Sequence, residues 1–146
     1  MNLVLFDIDG TLADINHRRH LVEGEDSNWA GFFDLMGADS VNESVAGLYR
    51  ELWNSEVYEC VLVTGRPEEY RKVTEQWLIW NEIPFERLLM RQSKDNRADH
   101  LIKEEVLESL VSKGERIAFV VDDRQSVVDM WRRNGVTCFQ CADYQG

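Results

Sequence analysis

Cysteine and proline are scarce in this chain, with three and two copies in 146 residues, and basic side chains (16) are outnumbered by acidic ones (27), for a net charge of −11. Three thiols cannot all pair, and the one Cys-x-x-Cys, Cys138 with Cys141, has no second pair to complete a zinc or redox site. Reduced thiols in a cytoplasmic protein are the expectation. No apolar run nears the ~20 residues that span a bilayer, and no basic-then-apolar leader opens the sequence, so no membrane partner is expected. An isoelectric point near 4.7 argues against a long nucleic-acid track and leaves any phosphate recognition to local groups. A Gly-x-x-x-x-Gly-Lys-Ser/Thr stretch is missing as well, so these residues encode no P-loop kinase.

What remains is 44% hydrophobic, enough to give one domain over residues 1–146 its own core. Short continuous apolar runs at 3–6, 57–64, 85–90 and 117–121, with 136–140 as an edge candidate, predict strands buried on both faces. Helical spacing predicts helices between them. One is capped at Ser40 or Asn42 and runs to about Ser55, with Val45, Leu48, Leu52 and Trp53 on its inner face. Another starts at Pro67 and presents Tyr70, Val73, Trp77 and Trp80. Further ones cover 97–111 and 126–134, the last stopped by Gly135. Alternation of this kind predicts a three-layer, Rossmann-like α/β fold around a parallel sheet. Residues 12–39 interrupt it as a small flap with its own helix, where Trp29, Phe32 and Phe33 either pack together or offer rings to a base.

In such folds the working residues follow the carboxyl ends of the strands. Those positions hold Asp7-Ile8-Asp9-Gly10-Thr11, Thr64-Gly65-Arg66 and Asp122-Asp123. Any one of them alone is a loop turn or a solvated helix cap. Together, at one edge of one sheet, they describe several carboxylates beside an anion binder, and a hard cation such as Mg²⁺ is the usual way to keep such carboxylates ionised.

These residues, in this order, resemble the four motifs of the haloacid dehalogenase (HAD) superfamily of phosphotransferases. More narrowly, Thr64-Gly65-Arg66, the stretch 97–105, Asp122-Asp123-Arg124 and the stretch 130–136 resemble the 3'-phosphatase domain of phage polynucleotide kinase. The resemblance implies that Asp7 is a nucleophile forming an aspartyl-phosphate, and that Asp9 is the acid, then base, serving the leaving group and water. It implies Thr64, Gly65, Arg66, Arg18 and Asp99 around the phosphate, and Mg²⁺ on Asp7, the Asp9 carbonyl, Asp122 and Asp123. Lys103 fits the lysine motif better than Lys94, because Asp99 lies four residues before it on one helical face. Arg97 and Arg124 are adjacent enough to steady Asp99 and the acidic pair. Ala98 stands where the phage domain has a basic residue.

The implied activity is a Mg²⁺-dependent polynucleotide 3'-phosphatase acting on a nucleic-acid 3' end or a nucleotide, with a minimal cap. A kinase or ligase partner on another chain would complete end processing. The alternatives are a 5'(3')-nucleotidase or small-metabolite phosphatase and, more remotely, a catalytically silent interaction module.

Overall fold

The computed structural model describes residues 1–145. Its elements run β1 (Leu3–Phe6), β2 (Ala13–Asp14), α1 (Asn16–Arg19), α2 (Trp29–Asp34), a 3-10 turn (Met36–Ala38), β3 (Ser40–Val41) and α3 (Glu43–Ser55). They continue with β4 (Glu59–Pro67), a second 3-10 turn (Glu68–Tyr70), α4 (Arg71–Trp80), β5 (Arg87–Arg91), α5 (Asp99–Ser112), β6 (Ile117–Arg124), α6 (Gln125–Arg133) and β7 (Cys138–Tyr144). Five strands form one parallel sheet in the order β5-β4-β1-β6-β7, so β1 is central, with Val4 opposite Cys60 on one side and Phe119 on the other.

The period of two along β1 divides the core. Val4 and Phe6 face a cluster closed by Ala46 and Tyr49 of α3 and by Trp77 and Leu78 of α4. Leu3 and Leu5 face the opposite cluster, closed by Leu107 and Leu110 of α5 and by Val127, Val128, Met130 and Trp131 of α6. With both faces covered, these strands carry unbroken apolar runs. The layered α/β architecture is therefore as the sequence predicts.

Helix faces are where the prediction needs correcting. Val45, Leu52 and Trp53 of α3 do pack against the first cluster, but its fully buried side chains are Ala46 and Tyr49, and Leu48 is 48% exposed. Asn42 does not cap α3 with its side chain, whose amide instead donates to the Thr11 carbonyl (2.9 Å), and Ser40 lies in β3. In α4 the buried side chains are Thr74, Trp77 and Leu78, and Trp80 is 80% exposed. Pro67 ends β4 rather than starting the helix, because Thr64, Gly65 and Arg66 continue the strand through a shift in register.

The segment after β1 is pinched off where β2 and β3 pair antiparallel, Ala13 opposite Val41 and Asp14 opposite Ser40. Within it, Ile15 and Phe32 sink into the first core cluster. That anchors the segment above the carboxyl ends of β1 and β4.

Candidate active site

β1 ends at Asp7, whose amide donates to the Val121 carbonyl (3.1 Å) and so ties it to β6. The Asp7 carboxylate is buried and receives two hydrogen bonds, from Lys103 Nζ to Oδ1 (2.8 Å) and from the Thr11 hydroxyl to Oδ2 (3.0 Å). Lys103, on the inner face of α5, also donates to Asp122 Oδ2 (2.9 Å) and lies 3.4 Å from Asp99 Oδ2. Two glycines let the acids approach. A Cβ on Gly10, which has φ +82°, would stand 2.0 Å from Asp123 Oδ2, and one on Gly65 would stand 2.2 Å from Asp99 Oδ1.

Asp7, Asp122 and Asp123 each offer a carboxylate oxygen within 4.8 Å of the others, and all three are buried. Burial, then the nearby Asp122, pushes Asp7 well above the usual carboxylate range and Asp123 up to about 6. Burial pulls Lys103 down, but Asp122, Asp7 and Asp99 outweigh it and leave its ammonium held above the ordinary lysine range. One lysine against this many acids leaves the cluster net negative. An all-oxygen, anionic donor set of this kind fits a hard divalent cation such as Mg²⁺.

Asp9, two residues on, points elsewhere. Its Oδ1 accepts from Arg18 Nη2 (2.8 Å) and Arg66 Nη2 (2.6 Å), and its Oδ2 from Arg66 Nε (3.2 Å). Burial raises its proton affinity, but the two guanidiniums prevail and bring the pKa down to about 2. Both arginines are fully buried and share a second acid, Asp39, which accepts from Arg18 Nε (2.8 Å), Arg18 Nη2 (2.7 Å), Arg66 Nη2 (3.2 Å) and His17 (2.6 Å). Arg66 also donates to the Thr74 hydroxyl (3.1 Å). Replacing Asp39 by Ala would leave two buried guanidiniums with one counter-charge, and urea unfolding should show a loss of about 3 to 5 kcal/mol.

The structure thus brings Asp7, Asp99, Lys103, Asp122 and Asp123 into one cluster, with Gly65 against Asp99. Thr64 is buried, and its hydroxyl accepts from the Arg66 amide (3.2 Å). Arg18 and Arg66 are placed behind Asp9, not on the cavity surface, so in this state they hold a carboxylate where the sequence reading has them hold phosphate. Neither Glu68 nor Glu69 takes Arg66, and Glu68 pairs instead with Arg71 (2.8 Å). Lys94 lies on the cavity wall outside the cluster. Arg97 pairs with Asp95 (2.8 Å) and Glu105 (2.5 Å), while the arginine beside Asp99 is Arg91, at 3.6 Å.

Sequence reasoning missed Asp39, Arg91 and the part played by Thr11. Arg91 had a signal, since it directly follows the predicted strand 85–90 and obeys the same strand-end rule. Asp39 had none, because only the folding back of the flap delivers it to the arginines.

A cavity of about 670 Å³ opens over this cluster, with Asp7, Asp9, Asp99 and Asp123 in its floor, Trp29, Phe33 and Tyr70 on one side, and Lys94 and Arg124 among its other lining residues. Phe32 also borders the cavity but is 5% exposed and packed into the core, beneath the Arg18 guanidinium at 4.2 Å from its ring centre.

Comparison with known proteins places the chain in a family. The family described as the polynucleotide kinase PNKP phosphatase domain matches residues 1–145. A protein of Autographa californica nuclear polyhedrosis virus, assigned as a bifunctional polynucleotide kinase/RNA ligase, is 28% identical over 144 residues, 97% of this chain and 20% of its own length. A chain in a solved Pnkp1/Rnl/Hen1 complex superposes with a TM-score of 0.85 at 32% identity, over 99% of this chain and 47% of that one. A hydrolase from Streptococcus pneumoniae shares the fold, with a TM-score of 0.64 at 14% identity over 97% of this chain and 93% of that one. The chain therefore spans a fifth of the viral relative and under half of the Pnkp1/Rnl/Hen1 chain.

Proposed function

Because the chain belongs to the family of polynucleotide kinase phosphatase domains and is a phosphatase, we propose that it removes terminal 3'-phosphates from polynucleotides through a Mg²⁺-dependent, aspartyl-phosphate route. The observation that carries this reading is Asp7 at the floor of the cavity, aimed by Lys103 and Thr11 and flanked by Asp122 and Asp123.

Asp7 attacks phosphorus, forming a carboxylate–phosphorus bond as the bond to the 3' oxygen breaks. Asp9 gives its proton to the departing alkoxide. In the ligand-free protein the arginines keep Asp9 ionised; the phosphomonoester enters as its monoanion and passes its one proton to Asp9, whose proton affinity the resulting phosphate dianion raises. Asp9, once more a carboxylate, then takes a proton from the water that attacks phosphorus, and inorganic phosphate leaves with Asp7 restored. Lys103 keeps Asp7 oriented throughout, and Thr64 and Gly65 bound the space for the phosphoryl oxygens. When bound to Asp7, Asp122 and Asp123, Mg²⁺ supplies positive charge beside the transferring group, which otherwise meets like charge.

The names of the viral relative and of the solved complex support a kinase or ligase as the partner activity, carried outside this domain. Among the described residues no helix is long and apolar enough to cross a membrane, and the three cysteines are free, which supports a reducing, cytoplasmic setting.

The test is phosphate release from a 3'-phosphorylated oligonucleotide. Release is expected in Mg²⁺, to stop in EDTA and to return on adding Mg²⁺. Release from nucleoside 3'- or 5'-monophosphates with none from the oligonucleotide would replace this reading by a nucleotidase, and no release from any of them would leave a silent module.

A further inference from the structure

The floor of the cavity accounts for a phosphate but not for its aromatic side. Phe33 of α2 stands between Trp29 and Tyr70, with ring centres 5.9 and 5.0 Å away and interplanar angles of 33° and 37°. At these separations and angles the rings lie tilted face against face, so the three form one stack along the cavity wall, with Trp29 at an exposed end. Phe32 fills the core beneath and meets Trp29 edge to face at 5.5 Å, yet Trp29 is left 47% exposed, so about half of the indole is free for a further contact. Large flat rings left facing a concave site that holds catalytic acids are a platform for another flat ring.

Glu69 adjoins Tyr70 on the aromatic side. Lys94 lines the cavity and makes no hydrogen bond, ion pair or ring contact among the described residues, whereas Arg97 is committed to Asp95 and Glu105. The loop that presents Lys94 is braced from within, since Arg91 donates to the carbonyls of Gly65 (2.8 Å) and Asp95 (3.0 Å), and also to that of Arg97. Lys94 itself has φ +71°, a backbone state that a bulky side chain adopts only when its surroundings hold it there.

We propose that this wall is a nucleobase subsite: the base of the 3'-terminal nucleotide stacks on Trp29, at the exposed end of the ring stack that Phe33 and Tyr70 support, while its 3'-phosphate lies at Asp7, and the phosphodiester on its 5' side meets Lys94. The inference rests on the polynucleotide reading and names the groups that recognise the end. Stacking is indifferent to base identity, so all four terminal nucleotides are accepted, but a terminal sugar without a base loses the platform. The terminal base must also leave its own stack to reach the wall, which favours single-stranded over blunt duplex ends.

Two 3'-phosphorylated oligonucleotides that differ only in whether the terminal sugar carries a base provide the probe. Binding is read by fluorescence anisotropy with Asp7→Asn protein, and turnover with the wild-type protein in Mg²⁺. The base-bearing end is expected to bind about tenfold more tightly, with the same ratio in KM and little change in kcat. Trp29→Ala and the ring-free Phe33→Leu should each bring the ratio towards one, and Lys94→Ala should flatten the salt dependence of oligonucleotide binding. Equal binding of the two ends, or binding of neither, overturns the subsite. Unequal binding without turnover leaves the subsite standing and overturns the phosphatase reading, whereas turnover without discrimination does the reverse.

Discussion

Asp7→Asn protein is expected to lose phosphate release by at least about a thousandfold while folding as well as the wild type. Asparagine keeps the shape, and its amide oxygen can still accept from Lys103 or Thr11, but a neutral amide does not attack phosphorus. The substitution removes a charge that burial and Asp122 already disfavour, so it should not lower stability when no cation is bound. A melting temperature in EDTA at or above that of the wild type, together with absent turnover, therefore separates chemistry from folding. Labelled phosphate should appear on the wild-type chain under rapid acid quench and not on the variant. A residual rate within tenfold of wild type would overturn Asp7 as nucleophile.

Lys103→Met is expected to have the opposite signature, in which stability suffers as well as activity. The ammonium is buried against Asp7 and Asp122, and its removal leaves those acids without their nearest cation. Breaking a buried pair costs about 3 to 5 kcal/mol, which for a chain of this size lowers the melting temperature by about 10 °C. The pH dependence follows from the raised acids. A carboxylate whose folded pKa lies above its unfolded value contributes stability that is fully present below the unfolded pKa and is lost as pH rises through the folded one. With Asp123 at about 6 and Asp7 also raised, the variant in EDTA should be closest to wild type near pH 4 and lose ground steadily towards pH 8. Mg²⁺ should restore part of the loss at pH 8 and little at pH 4, where the acids are protonated. A melting temperature that ignores both pH and Mg²⁺ would show that Lys103 does not balance this cluster.

Why so much of the site was legible in the sequence is a matter of strand geometry. A polar side chain placed directly after a buried apolar run emerges towards the carboxyl end of the sheet, and Asp7, Thr64 and Asp122 all meet that condition. Lys103 was found through its spacing from Asp99, a local property of one helix. What stayed hidden depends on long-range packing. Asp39 reaches Arg18 and Arg66 only because β2 and β3 close the flap, and nothing within a few residues of it encodes that approach. The inner face of α3 was read in part, with Val45, Leu52 and Trp53 on the core, and its deepest side chains were missed for another reason. Ala46 is small and Tyr49 carries a hydroxyl, so neither stands out beside Leu48, yet Ala46 lets the helix approach the sheet and the Tyr49 hydroxyl donates to the Pro84 carbonyl (2.6 Å). The split of the aromatic cluster, with Phe32 inward and its neighbours outward, likewise depends on where Arg18 lies.

The bond from Lys103 to Asp7 joins residues 96 positions apart, and Asp122 comes 19 later still. β1, though among the first segments made, stays incomplete until β6 has docked beside it, since the Asp7 amide itself is held by Val121. Such closures of long sequence separation are slow to form. The emerging polypeptide therefore presents Asp7 before its partners exist, and the cluster is complete only once α5 has packed on the sheet and β6 has paired with β1. A chain that stops before α5 carries the first acidic motif without Lys103, Asp122 and Asp123, so the assembled cluster is itself a marker that the last third of the molecule has closed.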